Sequence, residues 1–119
     1  MARILIVDDE PDIVEFQKSF LIRRKHEVFA ATNTAAALAL IRKEPLDIVF
    51  CDLRVDTDTS GLDILEEVKK AKAAPAFYLI TGIIDRKMQD EALLLGAKEV
   101  IYKPVPNQIL EQKIKEAGF

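Results

Sequence analysis

The chain has 119 residues, half of them hydrophobic, and carries a formal net charge of −3. This length suits one domain with one hydrophobic core, and the acidic balance argues against direct nucleic-acid binding. A single cysteine and a single histidine exclude an intrachain disulfide and a structural Cys/His zinc site. The apolar runs are short and no signal peptide precedes the first strand, so we expect a cytoplasmic protein without a membrane partner.

Segments of strand and helix character alternate along the whole chain. The clearest strand is residues 46–52, an apolar, β-branched run that ends on the carboxylate of Asp52. On the first helix, Ile13, Phe16 and Phe20 recur at helical spacing. In chain order, the predicted elements are a strand at 4–7, a helix from Pro11, a strand at 27–31, a helix from Asn33 or Thr34 through Ile41, the strand at 46–52, a helix from Gly61, a strand at 76–80, a helix at about 85–95, a strand at 100–102 and a helix from Pro106.

Five strands that alternate with five helices predict an α/β fold with a parallel sheet. Each right-handed crossover packs its helix against the sheet, so helices are expected on both faces. Ligands of such doubly wound sheets bind beyond the carboxyl ends of the strands. The residues that follow or end the strands therefore point to the functional site.

Polar residues stand at four of these strand ends. Asp8 and Asp9 follow the first strand, Asp52 ends the third, Thr81 follows the fourth and Lys103 follows the fifth. Three clustered carboxylates repel one another unless a cation lies among them. Mg²⁺ is the natural candidate because it prefers oxygen ligands and bridges carboxylates to phosphate groups.

This ordered set, with Pro104 after Lys103, resembles the receiver domain of two-component response regulators over essentially the whole chain. The resemblance implies one receiver domain over residues 1–119 and a flavodoxin-like sheet of strand order 2-1-3-4-5. It implies that Asp52 is the phosphoacceptor, that Lys103 pairs with the phosphoryl oxygens and that Thr81 hydrogen-bonds to them. It also implies a cis peptide bond between Lys103 and Pro104.

The resemblance further implies a magnesium site and a set of partners. Asp9, Asp52 and the backbone carbonyl of Arg54 would hold Mg²⁺, with Asp8 acting through water. The phosphoryl donor would be a sensor histidine kinase or a phosphotransfer protein, and the domain would catalyse only its own phosphorylation and dephosphorylation. Residues 85–117 would provide the face for a downstream effector or a homodimer.

Two departures from the family pattern concern the loop after Asp52 and the switch. Asp56 stands where the family usually has proline, Gly61 comes one position late, and Val100 replaces the usual switch aromatic. We therefore expect a loop that is one residue longer and a signal relay that differs from the usual one. Arg54 and Ile83 occupy positions that modulate hydrolysis in the family, and their bulk predicts a persistent phosphoryl group.

Two alternatives remain at this point. Residues 56–60 superficially resemble the paired-aspartate motif of haloacid-dehalogenase-type phosphatases, although that motif belongs directly at a strand end. The other alternative is a degenerate receiver that only binds proteins.

Several other residues have plain structural interpretations. Cys51 and Tyr78 are predicted to lie in the core and His26 to be solvated. Leu93 and Leu94 are predicted to lie on flanking or exposed surface, either as ordinary exposed leucines or as part of a partner face.

Overall fold

The computed structural model describes residues 1–56 and 60–119. The predictions that involve Thr57, Asp58 and Thr59 lie outside the described residues. Strands and helices alternate as the sequence predicts, and each predicted element is present. They are β1 (Arg3–Val7), α1 (Pro11–Arg23), β2 (Glu27–Ala31), α2 (Thr34–Lys43), β3 (Ile48–Asp52), α3 (Gly61–Val68), β4 (Ala76–Thr81), α4 (Arg86–Leu94), β5 (Glu99–Tyr102) and α5 (Asn107–Glu116).

The five strands form one parallel sheet in the order β2-β1-β3-β4-β5, which confirms the expected topology. In the central pairs, Val7 lies opposite Cys51, and Asp52 lies opposite Ile80. The residues that end or follow β1, β3, β4 and β5 therefore meet at one edge of the sheet. Within the described residues, the helices are too short or too polar for any of them to traverse a lipid bilayer.

Both faces of the sheet are covered by apolar layers, as a buried parallel sheet requires. One layer joins the sheet to α1 and α5 through Val14, Leu21, Leu110 and Ile114. The other joins the opposite face to α2, α3 and α4 and includes Ala37, Ile64, Leu65, Val68 and Ala92. Cys51 and Tyr78 are fully buried in these layers, as predicted.

The buried face of α1 differs from the apolar set that predicts the helix. The helix buries Val14, Gln17 and Leu21, whereas Phe16 is 67% exposed. Apolar residues occur on more than one side of α1, and their spacing therefore identifies the helix without identifying its buried face.

Helix α4 begins and ends as the sequence predicts. The carboxylate of Asp85 accepts hydrogen bonds from the backbone N–H groups of Lys87 (3.0 Å) and Met88 (3.4 Å), which caps the helix. Gly96 follows the helix with φ of +110°, a conformation that favours glycine. The exposure predicted for two leucines is confirmed, because Leu93 is 43% and Leu94 is 88% exposed.

His26 lies at the start of β2, at the edge of the sheet opposite the predicted site. Its Nδ1 accepts a hydrogen bond from the backbone N–H of the buried Ala2 at 3.1 Å. Burial and the positive charge of the Met1 ammonium lower the pKa of His26, and the carboxylate of Glu111 opposes them. His26 is thus tied to the start of β1 rather than simply solvated.

Candidate functional site

A pocket of about 260 Å³ opens at the carboxyl edge of the sheet, where the strand-end residues meet. Five of the residues predicted for the site line it, namely Asp9, Asp52, Arg54, Thr81 and Lys103. The pocket is also lined by Glu10, Gly82 and Ile83.

The charged centre of this site is an ion pair between β3 and the residue after β5. Lys103 Nζ lies 2.9 Å from Asp52 Oδ2 and 3.7 Å from Asp8 Oδ2. Both carboxylates are mostly buried, with Asp8 at 5% and Asp52 at 7% exposure. One ammonium group therefore balances two buried acids, and the other oxygen of Asp52 lies 3.5 Å from the backbone nitrogen of Arg54.

The protonation equilibria of Lys103 and Asp8 reflect this arrangement. Partial burial lowers the pKa of Lys103, but the hydrogen bond to Asp52 and the nearby acids outweigh it, so the net pKa is raised. Burial raises the pKa of Asp8, and the negative charge of Asp52 raises it further. A hydrogen bond from the Glu10 N–H at 3.0 Å lowers it, but the net pKa is raised. A further cation near Asp8 would favour its charged form.

The acidic residues after β1 offer ligands of the kind Mg²⁺ prefers. Among the described residues, carboxylate oxygens of Asp8, Asp9 and Glu10 lie within 4.8 Å of one another. Asp52 is not part of this group, and its carboxylate is paired with Lys103. A cluster of hard oxygen ligands that includes the buried Asp8, whose pKa is raised, fits a magnesium ion. Sequence reasoning missed Glu10, although its place directly after Asp9 was the available signal.

Thr81 is 2% exposed, and its hydroxyl oxygen accepts a hydrogen bond from the Ile83 N–H at 3.0 Å. In the sheet, Thr81 lies opposite Tyr102, the residue before Lys103. The hydroxyl of Tyr102 donates a hydrogen bond to Gln89 Oε1 on α4 at 2.5 Å. The aromatic residue near this site is thus Tyr102, directly before Lys103, and it contacts α4.

The loop after Asp52 folds back toward the sheet through an antiparallel bridge between Arg54 and Ser60. The carboxylate of Asp56 accepts a hydrogen bond from the Thr34 N–H at the start of α2, at 2.9 Å. Asp56 is therefore directed toward α2 and does not line the pocket.

Gly61 ends this loop in close contact with β3. Its N–H donates to the carbonyl of Leu53 at 2.6 Å. A Cβ at this position would lie 2.4 Å from the backbone oxygen of Asp52. Only glycine lets α3 begin this close to the strand that carries Asp52.

The peptide bond between Lys103 and Pro104 is cis, as predicted. The thiol of the neighbouring Cys51 has a raised pKa because it is buried and lies beside Asp52. Cys51 is thus a core residue that lies directly before Asp52 on β3.

The sequence model of the response regulator receiver domain matches residues 4–115. The chain belongs to the response regulator receiver family. It is therefore a signalling domain of the two-component type.

Curated relatives and solved structures agree with this assignment. The receiver is 37% identical over 105 residues to the response regulator protein PilR of Pseudomonas aeruginosa. This alignment covers 87% of this chain and 23% of PilR. It is 33% identical over 104 residues to the transcriptional regulatory protein KdpE of Mycobacterium tuberculosis, covering 87% of this chain and 45% of KdpE. The receiver thus spans less than half the length of these relatives.

Among solved structures, the receiver is similar to the CheY-like receiver domain protein of Methanospirillum hungatei. The TM-score is 0.91 and the identity 32%, and the alignment covers 98% of this chain and 92% of the other. The receiver domain protein of Clostridium thermocellum gives a TM-score of 0.87 at 32% identity, over 98% and 94% of the two chains. Both comparisons support the same fold for this receiver.

Proposed function

We propose that residues 1–119 form one receiver domain in which Asp52 accepts a phosphoryl group from a phosphohistidine. The donor would be a sensor histidine kinase or a phosphotransfer protein. The observation that carries the proposal is the pairing of Lys103 with Asp52 inside the pocket, at 2.9 Å. A nucleophilic carboxylate next to a fixed ammonium group suits the transfer of a polyanionic phosphoryl group.

The transfer exchanges one bond to phosphorus for another. A carboxylate oxygen of Asp52 attacks the phosphorus, the bond to the donor imidazole breaks, and the imidazole nitrogen keeps the electron pair. The loose transition state of such reactions depends mainly on positioning and charge neutralisation. Lys103 would neutralise phosphoryl oxygens, and the hydroxyl of Thr81 would donate a hydrogen bond to them.

The acids beside Asp52 would hold the metal ion of this reaction. Asp9, Asp52 and the carbonyl of Arg54 would bind Mg²⁺, and Asp8 would act through water. When bound, Mg²⁺ supplies positive charge that offsets the charge of the phosphoryl group. Glu10 adds a carboxylate to the same cluster.

Loss of the phosphoryl group requires water to reach Asp52. Arg54 is exposed at the pocket wall, and Ile83 is 43% exposed there. Both side chains are large enough to obstruct an attacking water. We expect a persistent phosphoryl group, and the domain would act on no other substrate.

The output would pass through contacts with another protein. The curated relatives are named as response or transcriptional regulators, and this chain matches only a part of each. A downstream effector reached from the cytoplasmic receiver is therefore the proposed output. The slight acidic balance of this segment argues against direct binding of nucleic acid.

The test is incubation with a small-molecule phosphodonor and Mg²⁺, followed by intact mass measurement. The wild-type protein should gain one phosphoryl group, and Asp52→Asn should gain none. Asp56→Asn is the matched control, because Asp56 is an exposed acid of the adjoining loop that does not line the pocket.

The remaining outcomes separate the alternatives. A wild-type protein that gains no phosphoryl group would indicate a degenerate receiver. Turnover of a phosphomonoester that is lost in Asp56→Asn would indicate a phosphatase. The direction of Asp56 toward α2 gives no support to the phosphatase alternative.

A further inference from the structure

A second pocket, of about 280 Å³, lies at the opposite edge of the sheet from the pocket that contains Asp52. It opens where the ends of α1 and α5 approach the starts of β1 and β2, and we call it the amino-edge pocket. Its polar lining consists of Arg24, Lys25, His26, Glu111 and Lys115. Four of these five side chains are basic, so the pocket has the character of an anion site.

The amino-edge pocket holds more positive charge than its own acid balances. Arg24 Nε donates a hydrogen bond to the Glu111 carboxylate at 2.6 Å, and the Arg24 guanidinium lies 4.6 Å from the centroid of the Phe20 ring. Arg24 and Glu111 therefore neutralise each other. Lys25 and Lys115 are exposed, and neither is ion-paired within the described part of the chain. Two ammonium groups thus remain available to a ligand.

The helix ends beside the pocket do not use these ammonium groups. At the end of α1, the carbonyls of Leu21 and Ile22 accept hydrogen bonds from the backbone N–H groups that follow. At the end of α5, the carbonyls of Lys113, Ile114 and Lys115 do the same. The helix dipole favours basic residues at each end, but it does not require two ends to converge on one pocket.

Lys25 adopts a backbone conformation that favours glycine. Its φ is +72°, and among the described residues every other positive φ belongs to a glycine. Lys25 follows the last capping residue of α1, at the position where glycine is the common choice. A lysine there is less stable than a glycine would be. Such an outlier points to a role for the side chain that offsets the backbone strain.

His26 supplies a hydrogen-bond donor to the same pocket. Its Nδ1 accepts the hydrogen bond of the Ala2 N–H at 3.1 Å, so the neutral ring carries its proton on Nε2. Among the described residues, no acceptor lies within hydrogen-bond distance of that N–H. The bond from Ala2 fixes the ring, and the Nε2–H is left for a ligand.

We propose that the amino-edge pocket binds a phosphate ester of a small organic molecule. A phosphate ester carries close to two negative charges at neutral pH, which matches the two ammonium groups of Lys25 and Lys115. The Nε2–H of His26 would donate to a phosphate oxygen. The site lies away from Asp52, and the proposal does not depend on phosphorylation of that residue.

The apolar part of the lining suits the organic group of such an ester. Met1, Ile114 and Phe119 line the pocket beside the basic residues, and Phe119 is 45% exposed. Drug-sized ligands occupy roughly 300–1,000 Å³. A pocket of about 280 Å³ therefore fits a ligand that is no larger than a single ring with its phosphate.

The experiment is a titration of the full chain with phenyl phosphate, followed by NMR without Mg²⁺ at constant ionic strength. At about pH 8 the ester is a dianion and His26, whose pKa is lowered, is neutral. His26 is the only histidine, so its ring signals report on this pocket directly. We expect a saturable shift with a millimolar dissociation constant, as suits a ligand of this size. Inorganic phosphate, which lacks the ring, should bind more weakly.

Three variants test the roles of the lysines. Lys25→Gln with Lys115→Gln should weaken binding at least about tenfold. Lys43→Gln with Lys72→Gln is the matched control and should leave binding unchanged, because both lysines are exposed and lie outside the pocket. Lys25→Gly should raise the Tm, since glycine suits the φ of +72°, and should still weaken binding. A purely structural role for Lys25 predicts the opposite change in Tm.

Several results would overturn the proposal. They are a His26 signal that does not move, equal binding by the Lys25 and Lys115 double variant, and equal loss of binding in the control. Inorganic phosphate that binds as tightly as phenyl phosphate would also contradict it. Shifts confined to the Gly82 amide would place the ligand in the pocket beside Asp52 instead. Circular dichroism verifies that each variant is folded.

Discussion

Replacement of Gly61 by alanine tests the contact that places α3 against β3. The added Cβ would lie 2.4 Å from the Asp52 carbonyl oxygen and 2.9 Å from Leu79 Cδ1. Both distances are shorter than real Cβ contacts, so the backbone or the leucine must move. Overpacking of this kind costs about 1–3 kcal/mol. The φ of Gly61 is not positive, so alanine adds no backbone strain there.

The net effect follows from two opposing contributions. Alanine is a better helix former than glycine by up to about 1 kcal/mol, which partly offsets the overpacking. We therefore expect a net loss of about 1–2 kcal/mol in the free energy of unfolding. For a domain of this size, that loss lowers the Tm by roughly 4–8 °C. Because the displaced atom is the carbonyl of Asp52, phosphorylation by a small donor should also slow.

Thermal and urea unfolding followed by circular dichroism measure the change. Gly82→Ala is the matched control, since the nearest atom to its Cβ would be Lys103 Cβ at 4.0 Å. We expect the stability of that variant to be unchanged or slightly raised. A Gly61→Ala protein as stable as the wild type would show that the loop yields freely and would refute the argument from close contact.

Three further changes test the charge of Lys103, the titration of His26 at the opposite edge of the sheet, and the walls of the pocket. Lys103→Met should bind Mg²⁺ more tightly in calorimetric titrations, because removal of the ammonium leaves two acids without their cation; unchanged affinity would mean that Lys103 does not balance them. His26→Gln should flatten the pH dependence of stability. Folding lowers the pKa of His26, so the stability gained by keeping His26 neutral is fully present above pH 6.5 and is lost as the pH falls from there through the lower folded-state pKa; equal profiles for the two proteins would contradict this. Arg54→Ala with Ile83→Ala should shorten the lifetime of the phosphoryl group several-fold in a mass-spectrometric time course, and an unchanged lifetime would remove their shielding role.

The fold could be predicted because each strand is a compact apolar run with a polar residue after it. The same signal located Asp52, Thr81 and Lys103, since the carboxyl ends of parallel strands lie at one edge. The strand order itself came from the resemblance to a family, because alternating strands and helices are compatible with more than one order.

Contacts between distant segments could not be predicted in the same way. The direction of Asp56 depends on where α2 begins, 22 residues earlier in the chain. The pairing of Lys103 with Asp8 depends on the spacing of β1 and β5 in the finished sheet. The buried face of α1 also depends on tertiary packing, since Phe16 and Val14 are equally apolar in sequence but only Val14 is buried.

The hydrogen bond between Tyr102 and Gln89 joins the strand next to the pocket to α4. Tyr102 precedes Lys103 in the chain and lies opposite Thr81 in the sheet, while Gln89 lies at the middle of α4. If a ligand in the pocket alters the affinity of α4 for a second molecule, linkage requires the converse by the same factor. Any protein that binds α4 would then also change the affinity of the pocket for its ligand, so a partner bound at α4 would regulate the pocket.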